Sequence, residues 1–344
     1  MRRVGAAVVW QAETNRKVYP MRLKDACGQG RAPLLLDGAI GSELGARLGD
    51  IESLHKDFWA TQLIATQPAM VENLYLDYLK AGSQILTTAT YQVSKDIEES
   101  PPHWSMGEYY ARGSKLIENA VQRFRGASDR TPYFCALSIS SYGAHLDGAM
   151  EFSGVYMDSV PEDRIVTSYE QSVEAALAVP VPDGISFILL FETIPSLAEA
   201  KLLCDKVLKP RLVDLQNHEI IMSFSCQDEA RTCYGDPIED CAQFIAHEVP
   251  FVAGLAINCT PPRFLSGLLQ RIRGNHPDML VALYPNQSTW DPYNRVFIPD
   301  PAGQALHGYI EEWLDLGVNI MGACCSSNPE TIAGLKSHQE PSLN

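Results

Sequence analysis

From residue 33 onward the chain switches eight times between a short apolar run rich in β-branched residues and a longer stretch with helical spacing. Parallel strands buried on both faces read as such continuous apolar runs, and each needs a crossover, usually a helix, before the next. The runs cover residues 34–37, 84–90, 133–139, 186–193, 220–225, 252–259, 280–284 and 318–323. Helical spacing covers 57–82, where Pro68 predicts a split into two helices, then 107–124, 162–179, 197–207 behind a Ser196 N-cap, 237–247, 262–273, 302–316 and 329–336. This pattern predicts an α/β chain with one domain, a (β/α)8 TIM barrel over residues 33–336, rather than a doubly wound sheet. A barrel of about 250 residues with insertions absorbs nearly all of the 344-residue chain.

The flanks carry less pattern. Residues 1–32 read as a poorly ordered N-terminal extension and 337–344 as a mobile C-terminal tail. The first 24 residues hold Arg2, Arg3, Arg16, Lys17, Arg22 and Lys24 against one acid, Glu13, which faintly resembles a transit peptide. No serine occurs there, and the apolar stretch 4–10 is too short for a secretory signal; Met21 is an alternative start. No apolar run reaches the roughly 18 residues of a membrane span. The formal charge of −15 argues against nucleic-acid or anionic-membrane partners. Nine cysteines, an odd number without the density of a disulfide scaffold, favour a reducing cytoplasm.

In a barrel of this kind the reactive groups stand at the C-terminal ends of the strands. Asp37, Glu192, Cys259, Cys324 and Cys325 all fall at such ends. Three thiols at one mouth suggest zinc, which binds thiolate strongly and in catalytic sites keeps a fourth position for water or substrate. Cys324 and Cys325 can share a metal only if the chain turns out of its strand between them. Cys27, Cys135, Cys204 and Cys241 read as small buried hydrophobes. Cys226 and Cys233 bracket the loop after the fifth strand and are weaker competitors, because their spacing matches no compact ligand motif. Asp37 and Glu192 have ordinary alternatives as helix caps or surface charges, but a carboxylate at the end of an apolar strand calls for a cationic partner such as a substrate ammonium. A glycosidase pair of acids is a further alternative, whose oxygen separation sequence does not fix.

The histidines show no HExxH spacing, no phosphate-binding glycine pattern occurs, and Ser140-Ser141 and Ser326-Ser327 lack a nucleophile elbow. The segment 140–161, long and rich in glycine and aromatics, reads as a functional lid.

The motifs Leu35-Leu-Asp-Gly-Ala39, Thr87-Thr-Ala-Thr-Tyr-Gln92, Ser141-Tyr-Gly-Ala-His-Leu146, Phe191-Glu-Thr193, Ile257-Asn-Cys-Thr260 and Gly322-Ala-Cys-Cys325 occur in that order. With them the chain resembles the homocysteine S-methyltransferases, zinc-dependent barrel enzymes that regenerate methionine. The resemblance spans about residues 33 to 336. It implies that Cys259, Cys324 and Cys325 hold Zn2+ with the homocysteine sulfur in the open position. It also implies that Asp37 and Glu192 hold the substrate's amino group, and that Asn258 and Gln92 are substrate or supporting contacts. The family usually reads Gly-Gly-Cys-Cys followed by threonine; Ala323 and Ser326 depart from it, and alanine is tolerated there if φ stays negative.

Chain size is similar to that of family members using a sulfonium donor, S-methylmethionine or S-adenosylmethionine. The resemblance thus implies methyl transfer from such a donor to homocysteine, forming methionine. Alternatives are another thiol or selenol acceptor such as selenocysteine, and a zinc-binding barrel that has lost catalysis. Tyr91, Trp104 and Tyr142 are candidates to face the sulfonium cation.

Overall fold

The computed structural model describes residues 21–28, 31–49, 58–182, 184–291, 296–299 and 306–339. The basic cluster and apolar stretch within residues 1–20, the start of the helical pattern at 57, positions 302–305 and the end of the tail lie outside them. Eight strands pair in parallel: β1 (Leu34–Leu35), β2 (Ile85–Thr87), β3 (Tyr133–Ser140), β4 (Ile185–Ile194), β5 (Glu219–Phe224), β6 (Gly254–Asn258), β7 (Leu280–Tyr284) and β10 (Ile320–Met321). Their order is β1, β10, β7, β6, β5, β4, β3, β2, and a bridge between Leu36 and Ile85 joins its two ends. The chain is therefore an α/β (β/α)8 barrel, as the alternation predicts. Among the described residues no helix is long and apolar enough to cross a membrane.

Local chemistry sets the helices. Pro68 opens the helix Pro68–Ala81 and separates it from Leu63–Thr66, and Gly82, at φ 114°, ends it. Ser105 and Glu108 form a capping box at the head of Met106–Phe124. Ser196 caps Leu197–Leu202 as its position predicts. The connection after β7 departs from the eightfold alternation, because β8 (Ser288–Asp291) and β9 (Val296–Pro299) pair there as an antiparallel ribbon. At the seam β1 and β10 are shorter than the apolar runs predict, yet the backbone keeps bonding beyond them, from Leu36 N to Met321 O at 2.8 Å and from Gly322 N to Leu283 O at 2.9 Å.

Alternate residues of each strand face opposite sides of the sheet. One set, including Leu35, Leu86, Phe187, Phe191 and Leu283, packs against the helices in the larger core. The other set fills the barrel interior, with Leu34, Leu36, Phe134, Ile188, Leu190 and Leu280 among its members. Leu23 and Ala26, from a short helix (Leu23–Ala26), belong to this interior cluster as well. Leu23 N donates to Glu219 Oε1 (2.8 Å) and Ser186 Oγ to Met21 O (2.9 Å), near the N-terminal ends of β5 and β4. Residues 21–28, expected within a poorly ordered extension, instead plug the bottom of the barrel, because their two apolar side chains find an interior to fill.

Candidate metal centre and active site

At the opposite end the interior set turns polar. Two residues beyond Ala136, Leu190, Ile221, Ala256 and Ala282, on the same faces, stand Ser138, Glu192, Ser223, Asn258 and Tyr284, all buried. Cys259 follows β6 with φ at 48°, in the left-handed region, so its side chain leaves the strand's alternation. Cys324 and Cys325 follow the seam strand β10. Their backbone is pinned by Cys324 N to Pro285 O (2.7 Å), Cys325 N to Asn286 Oδ1 (3.1 Å) and Ser327 N to Cys324 O (3.1 Å). The three sulfurs lie within 4.8 Å of one another, with Cys259 Sγ 2.7 Å from Cys324 Sγ and Cys324 Sγ 3.9 Å from Cys325 Sγ. Hydrogen bonding with Cys324 holds the Cys259 thiol well above its ordinary range, while hydrogen bonding with Cys259 and Cys324 holds Cys325 well below it.

Three thiolates around a tetrahedral zinc stand roughly 3.8 Å apart; the Cys324–Cys325 separation matches this, the Cys259–Cys324 pair stands closer, and the soft donor set suits that ion. Among the described residues no other group of three ligating side chains comes together. All nine cysteines are unpaired by disulfides. Burial pushes the thiols of Cys27 and Cys204 up to about 12 and those of Cys135, Cys226 and Cys241 well up, in keeping with small buried hydrophobes. The departures at the flanks are absorbed locally. Ala323 is not among the residues with positive φ, whereas Ser326 takes φ 63°. Gly322 is where close approach is needed: a Cβ there would come within 2.9 Å of Asp37 O.

Asp37 and Glu192 are both buried. Thr87 donates to Asp37 twice, from its amide to Oδ2 (2.6 Å) and from its hydroxyl to Oδ1 (2.9 Å). Ser138 Oγ donates to Glu192 Oε1, and Tyr284 OH reaches Oε2 at 3.4 Å. Burial raises the Asp37 carboxyl well above the usual range and pushes Glu192 up to about 7. Asn258 spends its amide inside the protein: Oδ1 accepts from Thr193 N (2.9 Å) and Ser223 Oγ (2.7 Å), and Nδ2 donates to Thr193 Oγ1 (2.8 Å). It thereby holds Thr193 at φ 62°, directly after Glu192. Gln92 is half-buried on the cavity wall.

Apart from Ser223, which lies behind Asn258, these residues line one cavity of about 460 Å3, within the range of small-molecule sites. The segment 140–161 covers part of it as three short turns, Tyr142–His145, Met150–Phe152 and Val155–Asp158. Its anchor is the fully buried Glu199, which accepts from Tyr142 N (2.9 Å), Tyr169 OH (2.9 Å) and Tyr156 OH. Of the three aromatics expected at a cation, Tyr91 lines the cavity and the other two do not. Trp104 lies under the Arg112 guanidinium (3.9 Å) and Tyr142 packs on Tyr156 (5.8 Å). Phe58, Trp59 and Phe152 are the aromatics there besides Tyr91 and Tyr284. Five acids line the cavity, Asp37, Asp96, Asp147, Glu151 and Glu192, and among the described residues no lysine or arginine does.

Sequence reasoning missed Thr87, Ser138, Ser223, Tyr284 and Glu151 as site residues. The first four carry a readable signal, a polar residue on the inward face two positions after an apolar one. Glu151 sits in an irregular segment and carries none.

The family described as Homocysteine S-methyltransferase matches residues 34–338. A relative named Homocysteine S-methyltransferase 2 from Arabidopsis thaliana is 28% identical over 91% of this chain and 95% of its own. A Selenocysteine Se-methyltransferase from Brassica oleracea var. italica is 28% identical over 88% of this chain and 87% of its own. In fold the chain is similar to the metallated form of the homocysteine methyltransferase MmuM from Escherichia coli, with TM-score 0.75 and 24% identity over 92% of this chain and 100% of that one.

Proposed function

Because the chain belongs to the homocysteine S-methyltransferase family, we propose that it moves a methyl group from a sulfonium donor, S-methylmethionine or S-adenosylmethionine, to the thiol of L-homocysteine, forming methionine, with zinc held by Cys259, Cys324 and Cys325. The observation that carries this reading is the coincidence of three thiols within 4.8 Å of one another with the acid-lined cavity. When bound, the zinc ion supplies the Lewis acidity that keeps a thiol deprotonated at neutral pH.

Asp37 and Glu192 accept hydrogen bonds from the homocysteine ammonium, and Thr87, Ser138 and Tyr284 hold the two carboxyls in place for it. The incoming positive charge offsets the burial that raises both groups, which keeps them ionised in the complex. Asn258 acts through Thr193 by fixing the chain direction after Glu192, and so is a positioning residue. Gln92 contacts substrate from the cavity wall. The segment 140–161, tied down at Glu199, excludes water and holds the donor's methyl carbon in line with the acceptor sulfur. The barrel unit at 33–336, with the plug at 21–28, carries this chemistry. Nine unpaired thiols support a reducing compartment such as the cytoplasm.

The test is a zinc assay on purified protein paired with a donor screen. About one zinc per chain and methionine from at least one of the two sulfonium donors are expected. Zinc-loaded protein that makes methionine from neither overturns the reading and leaves a metal-binding barrel without catalysis. A second acceptor, selenocysteine, is favoured by the Brassica relative's specificity. Homocysteine and selenocysteine supplied together separate the two, since the first reading requires homocysteine to win.

A further inference from the structure

Among the described residues Glu151 is the buried lining acid whose carboxyl meets the weakest partners. Its residue is 7% exposed, its Oε2 has no hydrogen-bond partner among the described residues, and its Oε1 meets Tyr91 OH at a long 3.5 Å. Placement is not accidental looseness. Ser225 Oγ donates to Glu151 O (2.9 Å), fixing the turn from the β5 side. From the other side, a Cβ on Gly143 would stand 2.7 Å from Glu151 N, so only glycine lets the turn Tyr142–His145 close under it. Tyr142 N and Tyr156 OH tie the flanking turns to Glu199. A carboxyl is thus held rigidly at a cavity wall with an acceptor oxygen left unmet.

A buried acceptor without a donor is destabilising, and a ligand N–H relieves it. A sulfonium carries positive charge but neither N–H nor O–H, so it does not complete this group. An ammonium brings charge and donors together. Within the reaction proposed above, Asp37 and Glu192 already take the ammonium of homocysteine. A second ammonium enters only if the methyl donor is itself an amino acid.

Resting on that reaction, we propose that Glu151, with Tyr91 beside it, is the subsite for the α-ammonium of the sulfonium donor, and that it selects amino-acid sulfoniums over those lacking the amino group. Among the described residues no lysine or arginine lines the cavity to compete for the carboxylate.

The experiment uses zinc-loaded full-length protein and its Glu151→Gln and Glu151→Asp variants, with S-methylmethionine and its des-amino analogue 4-(dimethylsulfonio)butanoate as donors. Glu151→Gln is expected to raise the KM for S-methylmethionine by about 10- to 100-fold. The homocysteine KM, and the KM for the des-amino donor, should move by less than about 2-fold, because neither ligand reaches this group through an ammonium. Glu151→Asp keeps the charge on a shorter arm and should fall between wild type and Gln. Calorimetric titration of S-methylmethionine into each protein reads the same change without turnover. An unchanged donor KM and Kd in Glu151→Gln overturns the proposal. So does an equal loss with both donors, or a rise confined to homocysteine. Wild-type protein that turns over neither donor sinks the proposed reaction instead; absence of any S-methylmethionine binding to it then sinks this subsite as well.

Discussion

The two ends of the barrel are built from the same strands and differ in a few rows of inward side chains. At the bottom Leu23 and Ala26 join an apolar interior, and the polar atoms nearby, Glu219 and Ser186, are spent on the backbone of residues 21–23. At the mouth Ser138, Glu192, Ser223, Asn258 and Tyr284 occupy the equivalent faces two residues further on. Backbone strain follows the same division. Among the described residues seven besides glycine take positive φ; Phe58, Trp59, Ala149, Thr193, Cys259 and Ser326 lie on the cavity wall or directly beside it, and His103 alone lies elsewhere. Conformations of this kind persist only where the surroundings over-determine them. The bottom stabilises the fold, and the mouth uses part of that stability to hold charges and sulfurs in place.

That division can be broken experimentally. The largest effect is expected at the mouth from Cys325→Ser, which removes a proposed zinc ligand. Partners in the outer shell of a metal site already contribute about 10- to 100-fold, so kcat/KM should fall by more than about 100-fold together with zinc content. A variant with normal zinc and normal methionine formation would remove Cys325 from the ligand set. At the bottom, Leu23→Ala should lower the unfolding free energy by about 2–5 kcal/mol, read by chemical denaturation. Its kcat and KM at a temperature where it stays folded should match wild type; a large kinetic defect would show that the two ends are not separable.

Next comes Glu192→Gln, expected to raise the homocysteine KM by about 10- to 100-fold, the range for a charged hydrogen bond, with the donor KM little changed. The smallest effect sharpens the comparison most directly. Burial pushes Glu151 up to about 7, against 4.5 in the open chain. Stability from that group is therefore fully present below pH 4.5 and lost as pH rises through about 7, because the folded state must then hold a buried charge. Glu151→Gln should stabilise the metal-free, substrate-free protein by roughly 1–2 kcal/mol at pH 8.5 and leave it unchanged at pH 4.5. Equal changes at both pH values would detach the effect from that charge.

Most of the architecture is legible because parallel strands leave long apolar runs, and the thiols and acids stand out by contrast at their ends. The runs at 133–139 and 186–193 predict β3 and β4 to within a residue or so. Those same runs show little alternation, since a strand buried on both sides is apolar on both, and so Ser138 and Tyr284 become readable only once an apolar residue two positions earlier is placed on the inward face. The seam strands shrink to two residues each because the chain turns early to aim Asp37 and the two cysteines. Residues 21–28 offer Leu23, Ala26 and the half-buried Cys27 to the interior, too short a pattern to announce a plug. Glu151 is illegible for a different reason: its position is set by Gly143, Ser225 and Glu199, far apart in sequence and joined only in the folded molecule.

The acid-rich lining of the cavity also bears on how turnover ends. In the proposed reaction a C–S bond breaks at the sulfonium and forms at the acceptor sulfur, whose proton leaves to solvent. One formal positive charge is lost from the donor as it becomes a thioether. Five acids, with no lysine or arginine among the described lining residues, favour the charged reactant over the neutral product. The wall that gathers the donor therefore releases what remains of it, and the reverse reaction must begin from the species the cavity holds least well.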